Sequence, residues 1–130
     1  MTDDHELRIL LIEDSRTQVE IVRMHLNQAF NTPFVLEQDA SLADGLKRLS
    51  QGRLDVLLLD LHVLDSAGFD TFLTAKASAT TVPIIITSGE EDADCAAGAI
   101  QEGACGFLVK SEYTSEALAR CIRLAVDHTT

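Results

Sequence analysis

Short runs of β-branched and leucine residues recur along the chain, at residues 8–12, 34–37, 56–59, 83–87 and 106–109. Each reads as a strand. Three of them are apolar throughout, with no alternation of inside and outside, which is the pattern of central strands in a parallel sheet covered on both faces. Between the runs the apolar spacing becomes helical. Val19, Val22, Leu26 and Phe30 form one stripe, as in an amphipathic helix. Leu42, Leu46 and Leu49 form a second, with Ser41 as its N-cap. Phe69, Phe72 and Leu73 mark a third. The fourth helix, about residues 92–102, is alanine-rich and stops at Gly103, and the fifth carries Leu118, Cys121, Ile122 and Ala125 behind Thr114 or Ser115 as cap. Strand and helix alternate about five times, so right-handed crossovers build a doubly wound α/β fold around a parallel sheet.

At 130 residues the chain is expected to form a single domain over residues 1–130, with nothing left beyond the fifth helix for an output domain. A formal charge of −11 argues against nucleic acid as a direct partner, because that affinity rests on cations displacing counterions. Asp3, Asp4 and Glu6 at the start oppose a signal peptide, and no apolar stretch reaches membrane-span length. A cytoplasmic protein is the expectation. Cys95, Cys105 and Cys121 form no C-x-x-C pair and are read as small core hydrophobes. His5, His25 and His128 have no metal-ligand spacing and are read as surface residues. Asp39, Asp44, Glu102 and Glu116 are read as solvated surface.

In open α/β sheets, ligands bind beyond the carboxyl ends of the strands. Glu13 and Asp14 follow the first run, Asp60 ends the third, Thr87 and Ser88 end the fourth, and Lys110 ends the fifth. Carboxylates converging on one edge repel unless a proton or a cation intervenes. Mg²⁺, or Mn²⁺, suits such a site, because a hard cation is commonly held by one or two carboxylates plus a phosphate oxygen. A lysine and a small hydroxyl nearby add donors for phosphoryl oxygens. The parts together favour phosphoryl transfer with an aspartate as nucleophile.

These residues resemble the receiver domains of bacterial two-component response regulators. The resemblance rests on ILLIEDS ending at Ser15, LLLDLHVLDSAG around Asp60, PIIITSG through Ser88, and GACGFLVK ending at Lys110. It implies a flavodoxin-like strand order 2-1-3-4-5, with Asp60 as phospho-acceptor for a sensor histidine kinase or phosphotransfer protein. Glu13, Asp14 and Asp60 would be the metal-site acids, with a backbone carbonyl from His62. Lys110 would contact the phosphoryl group. Counting from Pro83, Ser88 is the switch hydroxyl and Thr87 a strand residue; Phe107 is the switch aromatic. Activation would change the face made by the fourth helix, fifth strand and fifth helix, acting on an output protein or domain or on a homodimer, for which Ala97 and Leu124 are apolar candidates. The side chains of His62 and Glu90 are candidates for modulating the lifetime of the phosphoryl group.

Two departures from the family pattern matter: Leu64 and Ser111 each stand where proline is common. A cis bond before a non-proline residue costs about 2.5–4 kcal/mol, so a trans Lys110–Ser111 bond or a rerouted loop is expected. Alternatives are a degenerate receiver acting without phosphorylation as an interaction module, and a haloacid-dehalogenase-like phosphatase. The latter would want Asp where His62 stands. A flavin or nucleotide carrier would want glycines where Glu13 and Asp14 stand. Catalytic turnover of an external substrate is not expected.

Overall fold

A computed structural model describes residues 6–78 and 81–128. Asp3, Asp4 and His5 lie outside the described residues, as does the side chain of His128. The strands are β1 (Leu7–Ile12), β2 (Phe34–Asp39), β3 (Val56–Asp60), β4 (Ile84–Ser88) and β5 (Gly106–Val109). They form a five-stranded sheet in the order β2-β1-β3-β4-β5, and every neighbouring pair is parallel. Both the doubly wound architecture and the 2-1-3-4-5 order are as expected.

The continuous apolar runs are explained by burial on both faces. Leu10, Ile12, Leu57, Leu59, Ile84 and Ile86 point to one side, while Ile9, Leu11, Val56, Leu58, Ile85 and Leu108 point to the other. The first set packs on α2 (Leu42–Ser50), α3 (Phe69–Ser78) and α4 (Ala93–Gln101). The second packs on α1 (Arg16–Ala29) and α5 (Ser115–His128). All five residues of β3 are buried, which leaves Asp60 at the top of a fully enclosed strand.

Local chemistry starts and stops the helices. Ser15 Oγ accepts from Gln18 N at 3.3 Å, and Ser41 Oγ accepts from Asp44 N at 3.1 Å. Asp65, from a distant loop, accepts from Leu42 N at 2.7 Å and Ala43 N at 3.0 Å, and these bonds hold its carboxyl below the usual range. Of the two candidate caps for α5, Thr114 takes the role, accepting from Ala117 N at 3.0 Å. Ser115 instead lies 2.6 Å from His25 Nδ1. His25 therefore ties α1 to α5 rather than standing free at the surface. A 3₁₀ turn, Glu90–Asp92, precedes α4, and Gly103 at φ +115° ends it, as an achiral residue can without a Cβ clash.

Three further expectations are corrected. Leu73 is 40% exposed, because the inward stripe of α3 is Thr71, Phe72 and Ala75. Cys105 is exposed just before the edge strand β5, whereas Cys95 and Cys121 are half-buried. Asp39 is no free surface acid: Arg48 grips it with Nε and a terminal nitrogen at 2.7 and 3.1 Å.

Gly45 exposes a conflict between propensity and packing. Alanine is the better helix former, yet a Cβ at this point of α2 would overlap Ile12 Cδ1. Overpacking of this kind costs about 1–3 kcal/mol. Gly45→Ala is therefore expected to lower the urea midpoint, and a higher midpoint would show that Ile12 can move aside.

Candidate functional site

Parallel register brings the strand ends together. Ile12 pairs with Leu59, so Glu13 and Asp60 follow as neighbours, and Asp60 itself pairs with Thr87. Ser88 pairs with Val109, which delivers Lys110 to the same edge. Glu13 and Asp60 are 1% and 3% exposed, whereas Asp14 faces solvent. One carboxylate oxygen from each of Glu13, Asp14 and Asp60 lies within 4.8 Å of the others.

Lys110 pairs with both buried acids. Its Nζ stands 2.8 Å from Glu13 Oε1 and 2.9 Å from Asp60 Oδ2. Burial alone would lower the Lys110 pKa, but the bonds to Glu13 and Asp60 raise it above its usual value. Burial pushes Glu13 up to about 7, with the Asp60 charge adding to the rise and the bond from Lys110 opposing it. A pocket with more carboxylates than ammonium groups, two of the acids almost fully enclosed, has the donor chemistry of a hard divalent cation site. Glu13, Asp14 and Asp60 fit Mg²⁺ in oxygen type and spacing.

The Lys110–Ser111 bond is trans, one of the two expected outcomes. No described peptide bond is cis, and Ser111 adopts φ +69°. Lys110 N donates to Ser88 O at 2.8 Å, and Val109 O accepts from Glu112 N and Tyr113 N. The lysine is thus anchored through its own backbone without a proline. Burial raises the Tyr113 hydroxyl pKa, and the ring lies 4.9 Å from that of His25.

Ser88 and Thr87 differ in surroundings. Ser88 Oγ lies 3.5 Å from Asp60 Oδ1 and donates to Asp92 Oδ2 at 2.5 Å. Thr87 is buried, and its hydroxyl has no hydrogen-bond partner among the described residues. His62 N donates to Asp60 Oδ1 at 3.2 Å, while its Nε2 lies 2.7 Å from Asp92 Oδ1. That bond raises the His62 pKa; Asp92, which burial would raise, is lowered by His62 and Ser88. Glu90 does not join His62. It is exposed and shares a hydrogen bond with Glu112, whose carboxyl it raises. Phe107 is half-buried against the α2–α4 side of the core. Leu64, 72% exposed, lies between the two strands of a small hairpin, His62–Val63 with Ser66–Ala67.

Asp92 was missed in the sequence reading as a member of this cluster. Its four-residue offset from Ser88 is one helical turn and was the available signal; its contact with His62, 30 residues away, was not visible.

Comparison with known proteins agrees with this architecture. The sequence model of the response regulator receiver domain matches residues 9–122. The glycerol metabolism activator of Pseudomonas putida is 31% identical over 110 residues, covering 84% of this chain and 49% of that protein. A swarming motility regulation protein, RssB of Serratia marcescens, is 30% identical over 115 residues, covering 88% and 51%. Among solved structures, a response regulator receiver domain protein from Clostridium thermocellum superposes with a TM-score of 0.79 at 25% identity, covering 94% of this chain and 95% of that one. The chain belongs to the response regulator receiver domain family of two-component systems. It spans about half the length of the two curated relatives. No described helix is long and apolar enough to cross a membrane.

Proposed function

We propose that this chain works as a single receiver module in which Asp60 accepts a phosphoryl group from a sensor histidine kinase or phosphotransfer protein. The observation that carries this reading is the setting of Asp60: Lys110 on one carboxylate oxygen at 2.9 Å, and the Ser88 hydroxyl 3.5 Å from the other. Phosphoryl transfer needs positioning and charge neutralisation more than covalent help from the protein. Lys110 supplies a fixed cation and Ser88 a hydroxyl donor. Mg²⁺ or Mn²⁺ would be held by Glu13, Asp14 and Asp60, with the His62 carbonyl completing the protein ligands, and would neutralise charge between acceptor and phosphoryl oxygens. Ser88 and Phe107 then bias the face of α4, β5 and α5 toward an output protein or domain, or toward a second copy. His62, held on Asp92, and Glu90, held on Glu112, modulate the lifetime of the phosphoryl group.

The test is intact-protein mass spectrometry after incubation with acetyl phosphate and Mg²⁺, beside a control receiver labelled by the same donor. One phosphoryl adduct, absent when Mg²⁺ is chelated before the donor is added, supports the reading. If neither acetyl phosphate nor a phosphorylated kinase labels the chain, the reading fails.

Metal binding has its own expected signature. At free Mg²⁺ ten times its Kd, the fold gains about 1.4 kcal/mol, so Tm rises and chelation reverses the rise. Asp14→Ala removes most of the shift. Because Glu13 holds a proton up to about pH 7 and a ligating carboxylate must release it, Mg²⁺ affinity should increase from pH 6 to pH 8. Calorimetric titrations showing a flat or falling affinity over that range would contradict the metal-site reading.

A further inference from the structure

Asp92 is a buried acid, 6% exposed, that the phosphoryl-acceptor reading leaves unused. It closes the 3₁₀ turn Glu90–Asp92, its N–H donating to Gly89 O at 3.1 Å, and stands immediately before α4. Its two carboxylate oxygens face different partners. Oδ2 accepts from Ser88 at 2.5 Å, and Oδ1 meets His62 Nε2 at 2.7 Å. The result is a chain from the hairpin after β3, through the start of α4, to the end of β4.

A serine hydroxyl has one hydrogen. Ser88 can give it to Asp92 or to an oxygen on the Asp60 side, and the distances of 2.5 and 3.5 Å show that Asp92 holds it. We propose that Asp92 is a positioning residue that keeps the Ser88 hydroxyl in reserve, so that phosphorylation of Asp60 and the Ser88–Asp92 hydrogen bond compete for the same donor. The proposal rests on the phosphoryl-acceptor reading of Asp60. In the transfer from acetyl phosphate, an Asp60 carboxylate oxygen forms the new bond to phosphorus. The bond from phosphorus to the acetate oxygen breaks, and acetate leaves with the electron pair. Ser88 keeps its proton and only changes acceptor. The new phosphoryl oxygens repel the Asp92 carboxylate and attract the hydroxyl, so two forces open the same bond. Once opened, the turn Glu90–Asp92 loses its tie to β4. Movement at Ser88 then reaches α4 through one hydrogen bond rather than through general repacking of the core.

Two measurements on the full chain test this. The first needs no phosphoryl group: hydrogen exchange at the Asp92 and Ala93 amides of the unphosphorylated protein without Mg²⁺. Ser88→Ala and Asp92→Ala should each speed exchange about tenfold, the scale of one charge-assisted hydrogen bond. The double variant should exchange no faster than the faster single one. Asp92→Asn, which keeps an acceptor oxygen without the charge, should fall between and guards against misfolding of the alanine variant. Unchanged exchange in Ser88→Ala overturns the proposal.

The second measurement is the initial rate of phosphorylation by acetyl phosphate with Mg²⁺. Asp92→Ala should accelerate it about tenfold when Ser88 is present, and leave it unchanged in a Ser88→Ala background. Equal acceleration in both backgrounds would mean that Asp92 acts only as a nearby charge, and the proposal falls. If wild type takes no phosphoryl group at all, the acceptor reading fails instead, and the exchange measurement judges the Ser88–Asp92 bond by itself.

Discussion

Asp60→Asn is expected to abolish labelling by any phosphodonor while the fold survives. Asparagine has nearly the same volume, and its side-chain oxygen can still accept from His62 N, now at 3.2 Å from Asp60 Oδ1. What is lost is the carboxylate, and a neutral amide oxygen does not serve as the nucleophile. The same change should stabilise the metal-free protein. Asp60 adds its charge to the burial that pushes Glu13 up to about 7, and removing one of two crowded carboxylate charges relieves that repulsion. Thermal melts in chelator should therefore place the variant above wild type, with much less gained from added Mg²⁺. A variant that melts lower in chelator would show that the Asp60–Lys110 pair outweighs carboxylate crowding.

Lys110→Ala should carry the largest stability cost at the site. One ammonium serves two buried carboxylates at 2.8 and 2.9 Å, and removing one partner of a buried ion pair typically costs about 3–5 kcal/mol. The lower end applies, because the lysine is partly exposed and Glu13 can respond by keeping a proton. The pH dependence follows from that response. Glu13 titrates near 7 in the fold against an ordinary value of 4.5, so between those values the native state binds more protons than the unfolded one. Its contribution to stability therefore falls as pH rises through this window. Without Lys110 the opposing bond is gone and the native-state value rises further. Urea denaturation should show the deficit of Lys110→Ala largest at pH 8 and smaller near pH 5.5. A deficit that grows on acidification would contradict the assignment of Glu13 as the responding group.

How much of this was legible before the fold was known depended on sequence distance. The strands were readable because burial on both faces leaves no room for polar residues in runs such as Val56–Asp60, where only the terminal Asp60 breaks the pattern. The site was readable for the same reason: polar residues could appear only where the strands emerge, and in-register parallel pairing brings those points together. Contacts between distant loops were not readable. Asp65 holds the first turn of α2, 22 and 23 residues away, and no local spacing signals that contact. Asp39 looked like a surface acid because its grip on Arg48 depends on β2 lying beside α2. Leu73 was assigned inward because apolar identity alone does not separate two adjacent positions on a short helix; Phe72 won the buried place. At Ser111 the missing proline correctly signalled an unusual loop, and the backbone answered with a left-handed residue.

The central claim, that the phosphoryl group resides on Asp60 rather than on Glu13 or Asp14, can be tested by chemical trapping. Borohydride reduces an aspartyl phosphate to homoserine and leaves free carboxylates untouched. After treatment with acetyl phosphate and Mg²⁺, reduction and peptide mapping should find homoserine at position 60 alone. Reduction product at Glu13 or Asp14, or a labelled protein with an unaltered Asp60 peptide, would contradict the account.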